Sequence, residues 1–224
     1  EIYTLSLHDA LPICVSIYGD YGVYLAPIMQ DLIRRLEDYN KENKAATGFK
    51  LYEHLIYRVK AEESMRDKCQ RKGLEQTPQS ALKVIRDAIG VRIVTGFVED
   101  IYNLVDRLRQ EDGYEVVEEK DYISQVKPNG YRSYHVILEV ETDYPDCQGQ
   151  TPGRYYIEVQ LRTIAMDSWA SLEHQMKYKH DIANPERISR ELKRCADELA
   201  SCDLTMQTIR HLIQGGEVHA DPAS

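Results

Sequence analysis

The chain has 224 residues, 42% of them hydrophobic and 29% charged, which is enough to bury a sizeable core in one domain with helical extensions. Its net charge of -9 argues against a protein that coats nucleic acid, yet a nucleotide site needs only a local basic cluster. Five cysteines, at 14, 69, 147, 195 and 202, contain no CxxC pair, and no run is long and apolar enough to span a membrane or to open the chain as a secretory leader. The expectation is a cytoplasmic protein with reduced thiols, no disulfide framework and no membrane partner.

Residues 1–13, EIYTLSLHDALPI, resemble the translation of a sequencing-adapter read and are set aside from fold reasoning as a non-native segment, the alternative being a genuine short N-terminal segment. Residues 24–46 carry Leu25, Ile28, Leu32, Leu36 and Tyr39 at helical spacing, and Thr47-Gly48 ends the run. Residues 51–60 alternate as a strand, with Leu51, Leu55, Tyr57 and Val59 on one parity and His54, Arg58 and Lys60 on the other. A helix over 62–72 follows and stops at Gly73. Arg58, Lys60, Arg66, Lys68, Arg71 and Lys72 make this stretch basic within an acidic chain. Ser64 with Lys68, and Lys68 with Arg71, share a helix face. The pattern fits convergence on phosphates, or a solvated helix face.

Residues 76–80 read as loop, and 91–95 as a short buried strand with Asp87 at its mouth. An acidic residue there suits a metal ligand, and equally a turn or cap. A helix over 100–111 and a strand over 114–122 lead to Lys127-Pro128-Asn129-Gly130-Tyr131-Arg132-Ser133-Tyr134-His135. A cation, a tight turn, an aromatic ring, a second cation and an imidazole lie within this run. That set suits a ligand with a flat ring and phosphates, and equally an ordinary hairpin entry.

Two strands follow, over 133–141 and 154–162. The second puts Tyr155, Ile157, Val159 and Leu161 on one face and Tyr156, Glu158, Gln160 and Arg162 on the other, as an antiparallel hairpin with one wet side would. A helix over 163–179 holds Trp169, Glu173 and His174, the last readable as an ordinary histidine. Asn184-Pro185 starts a final helix to about Ile213. Ile188, Leu192, Cys195, Leu199, Cys202, Met206, Ile209 and Ile213 recur on it at four-three spacing. Docking on its own domain and contact with a second copy explain that spacing equally well.

Asp87-x-x-Gly90-Val91-Arg92, the run 127–135, and Glu158-Val159-Gln160-Leu161-Arg162-Thr163 followed by Trp169 and Leu172-Glu173-His174 occur in that order. Together they resemble the synthetase domain of the RelA/SpoT family, GTP pyrophosphokinases that make the alarmone (p)ppGpp. Tyr57-Arg58-Val59-Lys60 with Ser64 and Lys68 resembles the family's first nucleotide motif. Tyr57 departs from the family's frequent Gly, and Ala61 from its Pro. The resemblance covers about residues 22 to 180 and implies a stand-alone small alarmone synthetase. The isolated His180-Asp181 pair is not read as a hydrolase site.

The fold implied is α+β: a nucleotidyltransferase-like mixed β-sheet of about five strands flanked by helices, with a C-terminal helical extension. The domain plan is a helical region over 14–50, the synthetase domain over 51–180, the last helix over 184–214 and a tail over 215–224. The resemblance also implies pyrophosphate transfer from ATP to the 3′-hydroxyl of GTP or GDP with Mg²⁺. Asp87 and Glu158 would be catalytic and hold the metal, with Glu158 assisting loss of the hydroxyl proton. Arg58, Lys60, Ser64, Lys68, Arg71 and Arg92 would bind ATP, the two arginines Arg58 and Arg92 sandwiching adenine. Lys127, Asn129, Tyr131, Arg132, His135, Gln160 and Arg162 would bind the guanosine nucleotide, with Tyr131 stacked on its base. Glu173 and His174 would line the site. Small members of the family tend to be homotetramers, and the last helix offers an interface. No stable nucleic-acid partner is expected, although some small members resemble toxins that modify the 3′ end of tRNA; a silent nucleotide sensor is the reading from another class.

Overall fold

A computed structural model describes residues 16–177 and 184–216; residues 1–13, the His180-Asp181 pair and residues 217–224 of the tail lie outside the described residues. Helix α1, Gly22–Thr47, buries Leu25, Ile28, Leu32 and Leu36 along one side. It ends at Gly48, whose φ of 76° is the left-handed conformation that closes a helix. Strand β1, His54–Val59, begins three residues later than the alternation suggests. Leu51 is buried ahead of it because its N–H donates to Asn40 Oδ1 at 2.7 Å, bending the chain off α1. Tyr57 is exposed, although Leu55 and Val59, on the same parity, are half-buried. β1 is an edge strand, and alternation does not report how far cover reaches over an edge.

Helix α2, Glu62–Arg71, buries Met65 and Cys69. The expected loop over 76–80 instead runs into a π-helical turn, Ser80–Val84, with Ser80, Ala81 and Leu82 buried. A turn that short shows no periodicity. Then come β2 (Ile89–Thr95), α3 (Val98–Arg109), β3 (Tyr114–Asp121), β4 (Tyr134–Thr142), β5 (Gly153–Thr163), α4 (Ile164–Lys177) and α5 (Pro185–Gly216).

The five strands form one mixed sheet in the order β1-β2-β5-β4-β3. β2 and β5 pair in parallel and every other pair is antiparallel. At its centre Val91, Val159 and Val136 lie opposite one another and are buried. They join Leu25, Leu32 and Leu36 of α1 and Ile101, Leu104 and Leu108 of α3 in one core. Each such side chain contributes roughly 1.5–3 kcal/mol by leaving water. The opposite face of the sheet carries the polar residues. The structure is thus the α+β fold with a five-stranded mixed sheet and a C-terminal helix that the motifs imply.

Helix α5 docks largely through polar groups. Asn184 Oδ1 caps it by accepting from Arg187 N (3.2 Å). Arg210 forms a buried ion pair with Asp100 of α3 (2.7 Å), and its guanidinium lies 4.6 Å from the Phe97 ring centroid. Thr163 Oγ1 donates to the buried Asp203 (2.7 Å) while accepting from Met166 N, so one hydroxyl caps α4 and anchors α5. The four-three apolar series is therefore split. Ile188, Leu192 and Leu199 are partly buried, whereas Cys195, Cys202, Met206, Ile209 and Ile213 are exposed. The docked face runs instead through Ala196, Asp203 and Arg210, which hydrophobic spacing does not reveal.

Breaking the Asp100–Arg210 pair leaves a buried carboxylate uncompensated. Arg210→Met is expected to lose about 3–5 kcal/mol in urea unfolding, and the double variant with Asp100→Asn less than that. A loss below about 1 kcal/mol for the single variant would contradict this role.

Candidate active site

Alternation and register decide which side chains meet on the polar face. Ile56, Arg92, Gln160, His135 and Lys120 form one cross-strand row; Arg58, Gly90, Glu158 and Ile137 form the next. Arg58, Lys60, Asp87, Arg92, Glu158 and Gln160 line one cavity of about 250 Å³. Gly90 lies at its floor, between Arg58 and Glu158. A Cβ there would meet nothing within 4 Å and the backbone is ordinary, so glycine at this point keeps the groove open rather than relieving strain. A larger groove of about 590 Å³, between α1 and the β4–β5 turn, holds none of the candidate residues.

Asp87 is the electrostatic centre of the cavity. The ammonium groups of Lys60, at the end of β1, and Lys68, on α2, both donate to its Oδ2. Burial alone would raise the carboxyl, but these two hydrogen bonds outweigh it and hold Asp87 below the usual carboxylate range. Its other oxygen, Oδ1, is buried with no hydrogen-bond partner. Glu158, on β5, accepts from Gln160 Nε2 at 3.2 Å. Ser64 and Arg71 are exposed on α2, and neither lines the cavity. Arg71 Nε donates to the Asp67 carbonyl of its own helix.

The loop from Lys127 to Tyr131 stands at the other end of the same face. The Tyr131 hydroxyl accepts from Arg162 (3.0 Å) and lies 2.9 Å from His135 Nε2. Arg162 can only donate, so the phenol proton goes to His135 Nε2, and the imidazole carries its own proton on Nδ1. Burial, then the charges of Arg162, Lys127, Lys120 and Arg92, push the His135 pKa down to about 4. Lys127 Nζ lies 4.2 Å from the Tyr122 ring centroid and 4.9 Å from that of Tyr131. Asn129 spans the loop, accepting from Tyr131 N (3.1 Å) and donating to Glu173 on α4 (3.3 Å). His174 is exposed on the same helix.

Arg132 is the exception among the residues expected around the second nucleotide. Its guanidinium turns to α5, donating to the Ala196 carbonyl (3.1 Å) and to Asp197 (3.0 Å). Motif spacing placed it in the loop but could not give its direction. Other residues belong to the site without having been singled out. Asp167 accepts from Arg162 (2.9 Å) and Arg92 (3.5 Å), tying the two ends together. Tyr122 flanks Lys127, and Ile56 gives the cavity an exposed apolar wall opposite Arg92. A carboxylate in the first turn after a strand that ends in arginine was a readable signal for Asp167; Tyr122 and Ile56 had none.

Residues 57–183 match a family model described as a region found in RelA / SpoT proteins. The chain belongs to the RelA/SpoT family. It is 41% identical over 158 residues to GTP pyrophosphokinase YwaC of Bacillus subtilis, covering 70% of this chain and 73% of that protein. The structure of small alarmone synthetase 2 from Bacillus subtilis superposes with a TM-score of 0.72 at 35% identity, covering 85% of this chain and 96% of that one. That of small alarmone synthetase 1 bound to its product pppGpp gives a TM-score of 0.72 at 28% identity, covering 86% and 95%. The RelA/SpoT match begins at Tyr57 and so takes in the Tyr131 loop and every residue lining the Asp87 cavity except Ile56.

The neutral state of His135 has a measurable consequence. The unfolded chain takes up this proton near 6.5 and the folded protein only near 4, so the stability tied to it is lost as pH falls through that window. Side-chain NMR is expected to show one histidine with a midpoint near 4; a midpoint near 6.5 for His135 would contradict the burial and charge described.

Proposed function

We propose that the protein is a (p)ppGpp synthetase, transferring the β,γ-pyrophosphoryl group of ATP to the 3′-hydroxyl of GTP or GDP. The observation that carries this reading is the position of Glu158. It lies between the Asp87 cavity and β4, two residues along β5 from Gln160, whose row holds Arg92 on one side and His135 on the other. A donor bound over Arg58, Lys60 and Arg92 and an acceptor bound at the Tyr131 loop would meet there.

The 3′-oxygen attacks the β-phosphorus, the bond from that phosphorus to the α,β-bridging oxygen breaks, and AMP leaves. Glu158 takes the hydroxyl proton, which as general-base work contributes roughly 10²–10⁴ in rate. Arg58 and Arg92 hold the adenine between guanidinium planes, with Ile56 as an apolar wall. Lys60 and Lys68 hold donor phosphates. Both lysines donate to Asp87, so phosphate oxygens compete with that carboxylate for them. Lys127, His135 and Arg162 surround the acceptor and its phosphates, and Tyr131 stacks on guanine. Asn129 and Gln160 support these contacts, and Glu173 steadies Asn129.

Asp87 and Glu158 fit Mg²⁺. Asp87 Oδ1 is buried and without a hydrogen-bond partner, and Glu158 lines the same cavity. No group of three or more His, Cys, Asp or Glu side chains suited to a metal occurs among the described residues. Mg²⁺ habitually takes one or two carboxylates and completes its shell with phosphate oxygens and water. When bound, it would neutralise charge on the transferring phosphates.

The exposed series Cys202, Met206, Ile209 and Ile213 on α5 favours assembly of copies, with a tetramer as the reading. No described helix is long and apolar enough to cross a membrane, and Cys69, Cys147, Cys195 and Cys202 are free thiols. A cytoplasmic location, where both nucleotides are abundant, agrees with this.

Purified protein supplied with ATP labelled at the β-phosphate, Mg²⁺ and GTP, GDP or deacylated tRNA tests the reading. Label is expected on the guanosine nucleotide. Label on tRNA alone, or no transfer, contradicts it in favour of a toxin or a sensor. Glu158→Gln is expected to lower kcat roughly 10²–10⁴-fold. Tyr131→Ala removes a base stack worth about 1–3 kcal/mol and is expected to raise KM for the guanosine nucleotide more than for ATP. For assembly, Ile209→Glu is expected to give a smaller species in size-exclusion chromatography; an unchanged elution volume would remove α5 from the interface.

A further inference from the structure

The acceptor loop is packed directly on α5. Gly130 has a φ of 91°, and a Cβ built on it would lie 2.7 Å from Ala196 Cβ and 3.4 Å from Lys193 Cα. Two backbones approach this closely only where both positions are small, and Ala196 is the buried point of α5 beneath the turn. The turn is closed by Gly130 N donating to Lys127 O (2.8 Å) and Lys127 N to Tyr131 O (3.3 Å). Arg132 then fastens it. One fork of its guanidinium reaches the carbonyls of Gly130 (3.3 Å) and Ala196 (3.1 Å), the other the Asp197 carboxylate (3.0 Å). Asp197 is itself held by Lys193 at 2.9 Å. Trp169 Nε1 donates to the Leu192 carbonyl (2.8 Å), fixing α5 to α4 one turn away.

We propose that α5 is the seat of the acceptor loop and that Arg132 is a positioning residue, acting on the guanosine nucleotide through the orientation it gives Tyr131 rather than by touching the ligand. The proposal rests on the reading of 127–131 as the acceptor loop. Three acceptors of differing direction need a planar fork, which lysine lacks although it keeps the charge. A loop fixed beforehand in its bound shape gains affinity because less ordering is left for the ligand to impose. The cavity that holds the donor is lined by none of these residues, so the effect falls on one substrate only.

The test combines steady-state kinetics with hydrogen exchange on the nucleotide-free protein. The variants are Asp197→Ala, Arg132→Ala, their double, and Arg132→Lys. Arg132→Ala is expected to raise KM for GDP roughly five- to twenty-fold with KM for ATP nearly unchanged. Asp197→Ala, on the exposed side of α5, is expected to move KM for GDP in the same direction by less. The double variant should match Arg132→Ala alone, because the two groups act as one unit. Arg132→Lys should behave like Arg132→Ala. The Gly130 and Tyr131 amides should exchange faster in Arg132→Ala and Asp197→Ala. Rescue by lysine, additive effects, or a raised KM for GDP with unaltered exchange would make Arg132 a direct ligand contact and overturn the proposal. Faster exchange with KM for GDP unmoved, while Tyr131→Ala still raises it, would overturn the positioning role and leave the loop reading standing. Faster exchange with KM for GDP insensitive to Tyr131→Ala as well would overturn both.

Discussion

Strands β2 and β5 run parallel at the centre of the sheet, and their register sets Gly90 beside Glu158 and Arg92 beside Gln160. The rest of the site depends on that pairing. Side chains alternate strictly across a strand, so a slip of one residue would turn Glu158, Gln160 and Arg162 into the core and bring Ile157, Val159 and Leu161 to the surface. The register is held by burial: Val91, Val159 and Val136 meet at the centre of the core, where water is absent. Core packing and site assembly are thus the same event on opposite sides of one sheet. Gly90 adds what a side chain would take away, an open floor between Arg58 and Glu158.

Electrostatics on the open face are arranged in two halves joined by Asp167. In the Asp87 half, two ammonium groups converge on one carboxylate oxygen and leave the other without a partner. This keeps Asp87 ionised despite burial, the state that the metal-holding role proposed for it requires. In the Tyr131 half, burial and then the surrounding cations keep His135 neutral, so it can accept a hydrogen bond from the phenol and fix the ring. Asp167 bonds to Arg162 and Arg92, one from each half, which spaces the two guanidinium groups against their mutual repulsion.

Much of this was legible in the sequence, because period-two alternation in 133–141 and 154–162 and ordered motifs at fixed spacing are local signals. Asp87, Arg92, Glu158, Gln160 and Arg162 all belong to them, and all line or border the site. What was not legible depends on direction or on distant partners. Arg132 lies in the right loop but faces α5, where two of its acceptors are sixty-odd residues away in the chain. Leu199 sits in the four-three series but is partly buried, while the exposed part of the series continues as Met206, Ile209 and Ile213. Polar docking by Asp203 and Arg210 made the difference, and no hydrophobic pattern encodes that. Tyr57 is exposed for a related reason: an edge strand is covered only where another element reaches it.

The central claim is that donor and acceptor halves meet at Glu158. A crystal structure with a non-hydrolysable ATP analogue, Mg²⁺ and GDP tests it most directly, through the distance from the ribose 3′-oxygen to the Glu158 carboxylate. The account predicts hydrogen-bond reach, about 2.6–3.2 Å, with guanine stacked on Tyr131 and adenine between Arg58 and Arg92. A 3′-oxygen directed away from Glu158, or a guanosine nucleotide seated away from the Tyr131 loop, would contradict it.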